Sequence, residues 1–226
     1  DIEVNWLEAV LQNLEYECIV KFRDPDSDAI SYFNIRRNLL SVHEKSYVLT
    51  FEDVTTLQEE KLRYAHEATT DHLTSVMNRQ GFNTILSHEL KLSDRYKTPF
   101  SIILLDIDHF KNVNDVYGHN TGDAILIRVA QTIKSAIRGT DVVARWGGEE
   151  FIVFLPNTNQ NQAFILTQKL RSEINEVTHL ELEKNVTCSF GISQYQEDDT
   201  DKSLIERADK ALYYIKENGR DGISIN

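Results

Sequence analysis

Cysteine is scarce. Cys18 and Cys188 are the two in 226 residues, and they stand far apart. That spacing points to no disulfide framework, and a reduced, cytoplasmic compartment is expected. Long apolar runs are absent as well. The longest, Ile102 to Leu105 and Phe151 to Leu155, have the length of strands and fall far short of the roughly 18 residues that span a bilayer. No basic segment followed by an apolar block opens the chain, so no secretory signal is visible. Basic residues are outnumbered: 24 Lys and Arg stand against 36 Asp and Glu, a formal charge of −12. A diffuse basic surface for nucleic acid polymers or anionic membranes is thereby excluded. A phosphate ligand would have to be held locally, by backbone amides, a few cations or metal ions. The sequence begins at Asp1 without a Met and so reads as a piece of a longer protein, with any membrane attachment expected in the missing segments.

What is present is an ordinary globular composition, 41% hydrophobic and 27% charged, enough for one or two domains. Trp6, Leu7, Val10, Leu11 and Leu14 recur at helical spacing. Strand-like segments follow at Glu17 to Phe22, Ile30 to Leu39 and Ser46 to Phe51, the first two separated by an Asp- and Pro-containing turn at 24–28. Residues 54–70 read as a connecting helix, with Val54, Leu57, Lys61, Tyr64 and Ala68 at the spacing of a short coiled-coil seam or of a solvated linker. Beyond Thr70, helices and strands alternate. Helices are expected over 78–95, 121–138 (stopped by Gly139), 160–176 and 204–218 (closed by Gly219). Strands are expected at Phe100 to Asp106, Val142 to Arg145, Glu149 to Leu155, Val186 to Ser193 and Gly222 to Ile225. Gly147-Gly148 reads as the turn of a hairpin.

Two places concentrate chemistry. The apolar strand 102–105 ends in Asp106-Ile107-Asp108, and residues i and i+2 of a strand share a face. Carboxylates at the end of a buried strand demand a cation or donors, and hard oxygen ligands suit Mg²⁺ or Mn²⁺. An Asp-x-Asp at a strand end is also an ordinary cap or turn. The second place is Arg145-Trp146-Gly147-Gly148-Glu149-Glu150-Phe151. Its glycines allow a ligand to approach the backbone, and one of its glutamates can face the acids of the neighbouring strand. Asp108 is placed to cap a short helix whose first amides, near Phe110 and Lys111, would be free for a phosphate. Lys111 supplies a point charge. Asn114 and Asp123 have the donor and acceptor types that read a purine edge.

From about Thr70 onward the chain resembles the GGDEF domain, the family of diguanylate cyclases. Four ordered blocks carry the resemblance. They are Asp71-His72-Leu73-Thr74 with Asn78-Arg79 and Phe82, the stretch Asp106 to Asp123, Gly147-Gly148-Glu149-Glu150-Phe151, and Asp209-Lys210-Ala211-Leu212-Tyr213-Tyr214 with Lys216, Gly219 and Arg220. The resemblance implies an α/β (α+β) fold, a ferredoxin-like palm with a mainly antiparallel central sheet flanked by helices. It implies two GTP condensed into cyclic di-GMP with release of pyrophosphate. Asp106, Glu149 and Glu150 would be the catalytic acids. Metals, two Mg²⁺ or Mn²⁺ per half-site, would be held by Asp106, the Ile107 carbonyl, Glu149 and Glu150. Gly147 and Gly148 would lie against GTP, with Asn114 and Asp123 on guanine. Phe110 and Lys111, with Lys216 and Arg220, would serve the phosphates. One domain holds one GTP, so a homodimer is implied. Arg138 and Asp141, spaced as in the family's product-inhibition site, would bind cyclic di-GMP, with Lys169 adding a contact. Ser75 and Val76 stand where the family usually has Gly and Leu.

The N-terminal segment resembles the second half of a PAS sensor domain. The expected organisation is a partial PAS-like segment at 1–53, a signalling linker helix at 54–70 and the GGDEF domain at 71–226. The alternatives are a non-catalytic module that binds GTP or cyclic di-GMP, and a cyclase making a mixed cyclic dinucleotide, against which Asp123 argues.

Overall fold

The computed structural model describes residues 17–25, 27–41, 46–177 and 185–226. The helix expected around Trp6 to Leu14 lies outside them. The chain forms two compact units, Asp1–His66 and Glu67–Asn226.

The first unit is a three-stranded antiparallel sheet in the order β1 (Glu17–Arg23), β2 (Ile30–Ser41), β3 (Ser46–Asp53). Ile35, facing Cys18 on one side and Phe51 on the other, is its buried hydrophobic among the described residues. Ile19, Leu39, Leu40 and Phe51 are exposed. The Asp53 carboxylate accepts the Thr55 N–H at 2.9 Å and starts α1 (Thr55–Thr69), which buries none of its side chains. Leu57 and Tyr64 of the expected seam are more than half exposed.

The second unit is built on a six-stranded sheet. Its strands are β4 (Met77–Asn78), β5 (Phe100–Ile107), β6 (Val142–Gly147), β7 (Glu150–Pro156), β8 (Cys188–Gln194) and β9 (Ile223–Ile225), ordered β4-β6-β7-β5-β8-β9. The inner pairs are antiparallel, while β4 and β9 join the edges in parallel. Every residue of β5 is buried, because helices cover both faces. Ile103 and Leu105 enter one apolar cluster with Ile125, Val129 and Ile133 of α4 (His119–Ala136) and Leu170 and Ile174 of α5 (Gln160–Asn175). Ile102 and Leu104 enter the other, with Phe82 and Leu86 of α2 (Arg79–Tyr96) and Leu204, Ala208 and Leu212 of α6 (Asp201–Glu217). Alternate residues pointing to opposite faces explain an apolar run with no polar alternation. A short α3 (Phe110–Tyr117) follows β5 and packs against α4. This is the mixed α/β palm, a central sheet flanked by helices.

Side-chain caps fix the helix starts. The Asn78 carbonyl oxygen accepts the Gly81 N–H, Asn159 and Gln162 form a reciprocal capping box, and so do Thr200 and Ser203. One expected stop differs. α4 ends at Ala136, three residues before Gly139, with Ile137 extended at φ −89°. The Asp141 carboxylate accepts the Arg138 N–H at 2.9 Å and closes a separate turn, so the chain leaves the helix earlier than a glycine stop would require.

Candidate active site

β5 and β7 place the acids. Asp106 is directly opposite Glu150 in the antiparallel register, and the Ile107 N–H donates to the Glu149 carbonyl at 3.3 Å. Asp106 is 8% exposed, whereas Glu149 and Glu150 are half-buried. The last turn of α6 brings Lys216 to the same spot, its Nζ 2.7 Å from Asp106 Oδ2. Burial pushes the Asp106 carboxyl up to about 6. Lys216 opposes that rise, and the charges of Glu149 and Glu150 add to it.

Asp108 differs from expectation. It is buried, and its carboxylate accepts the Ser189 hydroxyl at 2.7 Å, the Thr187 hydroxyl at 2.8 Å and the Asp221 N–H at 3.0 Å. With those three donors satisfied it neither caps α3 nor faces a cation. The residue at the start of α3 is His109, left-handed at φ 57° and without a side-chain cap. The N–H groups of Phe110 and Lys111 accordingly have no acceptor among the described residues. They form a small anion-seeking end beside Lys111, which is exposed.

Asn114 on α3 and Asp123 on α4 stand across one helix–helix contact. A Cβ on Gly122 would lie 2.0 Å from Asn114 Oδ1, so only glycine lets the Asn114 amide occupy that place. Asp123 is exposed.

The hairpin turn is shifted by one residue from its expected position. Gly147 pairs with Glu150, so the two-residue loop is Gly148-Glu149, and the register slips at Trp146. Neither Gly147 nor Gly148 has a positive φ, and a primed hairpin turn is thereby excluded. The loop is instead closed by Arg145, whose Nε and Nη2 donate to the Gly148 carbonyl at 3.0 and 2.8 Å. Nothing lies within 4 Å of a Cβ built on Gly148. The folded chain therefore does not itself demand glycine there, and the space above it is open to a ligand.

Sequence reasoning missed the partner of this clamp. Arg145 Nη1 lies 3.3 Å from both oxygens of Asp71, which also accepts the Thr74 N–H and hydroxyl. Asp71 and Arg145 stood in two motif blocks, and only β4–β6 pairing brings them together. Trp146 is held from the other side, with the Arg79 guanidinium 4.2 Å from its ring centroid and Phe82 edge-on at 5.8 Å.

Arg138 and Asp141 lie in the turn between α4 and β6, and Lys169 lies on α5. Arg138 and Asp141 line a cleft of about 90 Å³ with Leu155, Thr158 and Leu166. Lys169 reaches from α5 to the Ala136 carbonyl, 3.4 Å away. Arg220 follows α6, exposed, with φ 63°.

The family model for "Diguanylate cyclase, GGDEF domain" matches residues 68–222. The chain belongs to the GGDEF family. Diguanylate cyclase A of Treponema denticola is 38% identical over 190 residues, which is 81% of this chain and 51% of that protein. Diguanylate cyclase DosC of Escherichia coli is 35% identical over 164 residues, 71% of this chain and 35% of that one. The chain thus spans about half or less of these curated relatives. Among solved structures, the coiled coil and GGDEF domain of DgcB from Caulobacter crescentus, in complex with c-di-GMP, superposes with TM-score 0.73 at 30% identity, covering 76% of this chain and 93% of that one. The active GGEEF domain of a Vibrio cholerae diguanylate cyclase gives 0.63 at 34% identity, covering 66% and 96%.

Proposed function

We propose that this GGDEF domain condenses two GTP into cyclic di-GMP and pyrophosphate, each nucleotide held by one copy of a homodimer. The observation that carries the reading is the buried Asp106 carboxylate, paired across the sheet with Glu150, beside the uncapped start of α3 and Lys216.

A divalent cation suits this donor set. Asp106, Glu149, Glu150 and the Ile107 carbonyl offer oxygen atoms only, the preference of Mg²⁺ and Mn²⁺. Burial and its acidic neighbours hold Asp106 partly protonated near neutral pH, a tension that a cation relieves. Among the described residues no three such side chains are drawn together as a finished site. Lys216 lies against Asp106, so loading requires it to turn towards the triphosphate. Two ions per half-site, when bound, would activate a ribose 3′-hydroxyl and offset charge on the departing pyrophosphate.

The chain's own residues do the rest. The Phe110 and Lys111 amides, with the Lys111, Lys216 and Arg220 side chains, hold the phosphates. Asn114 and Asp123 take the guanine edge. Gly147 and Gly148 leave room for the nucleotide, and Glu149 accepts the 3′ proton as the hydroxyl attacks the α-phosphate of the GTP on the facing copy. Arg138, Asp141 and Lys169 form the inhibitory product site. Their support is the cleft at the α4–β6 turn and a guanidinium with no partner among the described residues, since it is the Arg138 backbone that engages Asp141. We read 1–53 as a partial PAS-like sensor, 54–70 as the signalling helix and 71–226 as the cyclase domain, with a cytoplasmic location. Among the described residues no helix is long and apolar enough to cross a membrane. The test is incubation with GTP and Mg²⁺ followed by chromatography. Cyclic di-GMP and pyrophosphate support the reading, and tight cyclic di-GMP binding without turnover overturns it in favour of a binding module.

A further inference from the structure

Three consecutive residues after α6 are left-handed: Gly219 at φ 110°, Arg220 at 63° and Asp221 at 42°. For the two non-glycine residues this conformation is sterically unfavourable. The surroundings over-determine it. The Arg220 N–H donates back to the Ile215 carbonyl at 3.0 Å. The Asp221 N–H donates to buried Asp108 Oδ2 at 3.0 Å. The Asp221 carboxylate receives Arg171 in a fork, Nε to Oδ1 at 2.7 Å and Nη2 to Oδ2 at 3.0 Å, and the Asn175 amide at 3.3 Å. These bonds tie the turn to α5 and to the end of β5, the strand that carries Asp106. Arg220 lies inside the tied turn, yet its guanidinium has no hydrogen bond or ion pair among the described residues. A strained, firmly held backbone presenting an unused cation is the pattern of a positioned ligand group.

We propose that Arg171 and Asp221, anchored through Asp108, are positioning residues that set the Arg220 guanidinium for the GTP triphosphate. Arg171 touches no nucleotide and acts through the turn. The proposal rests on the cyclase reading above, in which Arg220 meets the phosphates.

The test is steady-state pyrophosphate release from GTP by wild type, Arg171→Ala, Arg220→Ala and the double variant. Arg171→Ala should raise the KM for GTP about five- to tenfold, the loss of a well-placed charge-assisted contact. In the Arg220→Ala background the same change should have no further effect, because nothing remains to be positioned. Asp221→Asn, which keeps the side-chain shape and the N–H to Asp108, should raise KM about threefold and carries the test if Arg171→Ala does not fold. An unchanged KM, or a loss additive with Arg220→Ala, overturns the positioning role while leaving the cyclase reading intact. A wild type that releases no pyrophosphate overturns the reading and the inference together.

Discussion

Lys216 Nζ lies 2.7 Å from Asp106 Oδ2, so the acid at the end of β5 and a cation from the last turn of α6 are paired with each other. The pair does not fully relieve the acid. Asp106 remains pushed up to about 6 because burial outweighs Lys216, and Glu149 and Glu150 add repulsion. Folding therefore favours the protonated form. The stability linked to that proton is full below the ordinary value of 3.8 and is lost as the pH rises through about 6.

Above that pH the ionised Asp106 carboxylate weakens the metal-free fold by up to about 3 kcal/mol. Asp106→Asn should accordingly raise the melting temperature in EDTA at pH 8. The gain should shrink steadily as the pH is lowered from 6 towards 4. A variant less stable than wild type at pH 8 would refute the assigned cause.

Ser75 sits at φ 57° in the turn where the family usually has glycine. Its side chain is exposed and the conformation is strained for any residue with a Cβ. Ser75→Gly should raise stability by about 0.5–1 kcal/mol in urea denaturation. A loss of stability would mean that the hydroxyl contributes more than the strain removes.

Much of this was legible in the sequence. The unbroken apolar run of β5 signalled a strand covered on both faces, and the two cores on either side of it bear that out. Helix positions were readable from apolar spacing, but the caps were not read: Thr200 starts α6 at Asp201, three residues before the expected start at Leu204. What was not legible depended on partners distant in sequence. Asp108 looked like half of an acidic pair until Thr187, Ser189 and the Asp221 backbone claimed it. Gly147-Gly148 looked like the turn itself, but the loop is moved on by a slip at Trp146 and closed by a side chain. Gly139 looked like a helix stop, but Asp141 turns the chain first.

The Arg145 fork on the Gly148 carbonyl replaces a backbone-closed turn. Lysine cannot supply two nitrogens there while also meeting Asp71. Arg145→Lys should lower turnover about tenfold and speed amide exchange at Glu149 and Glu150, leaving the exchange of β5 unchanged. Equal exchange at the hairpin would show that the turn closes without the clamp.

Arg138 meets Asp141 through its backbone N–H, so Arg138→Ala removes the guanidinium without undoing the turn. Product inhibition should weaken about tenfold or more, with initial rates kept. An inhibition curve superimposable on wild type would place the inhibitor elsewhere.

The most direct measurement is the initial rate of pyrophosphate release from GTP and Mg²⁺ by wild type and by Glu149→Gln, each checked for an unchanged fold by circular dichroism. The expected result is turnover to cyclic di-GMP by wild type and a loss of about a thousandfold or more in the variant. Comparable rates from the two proteins would contradict the account, because Glu149, beside the acid at the end of β5, would then take no part in the reaction.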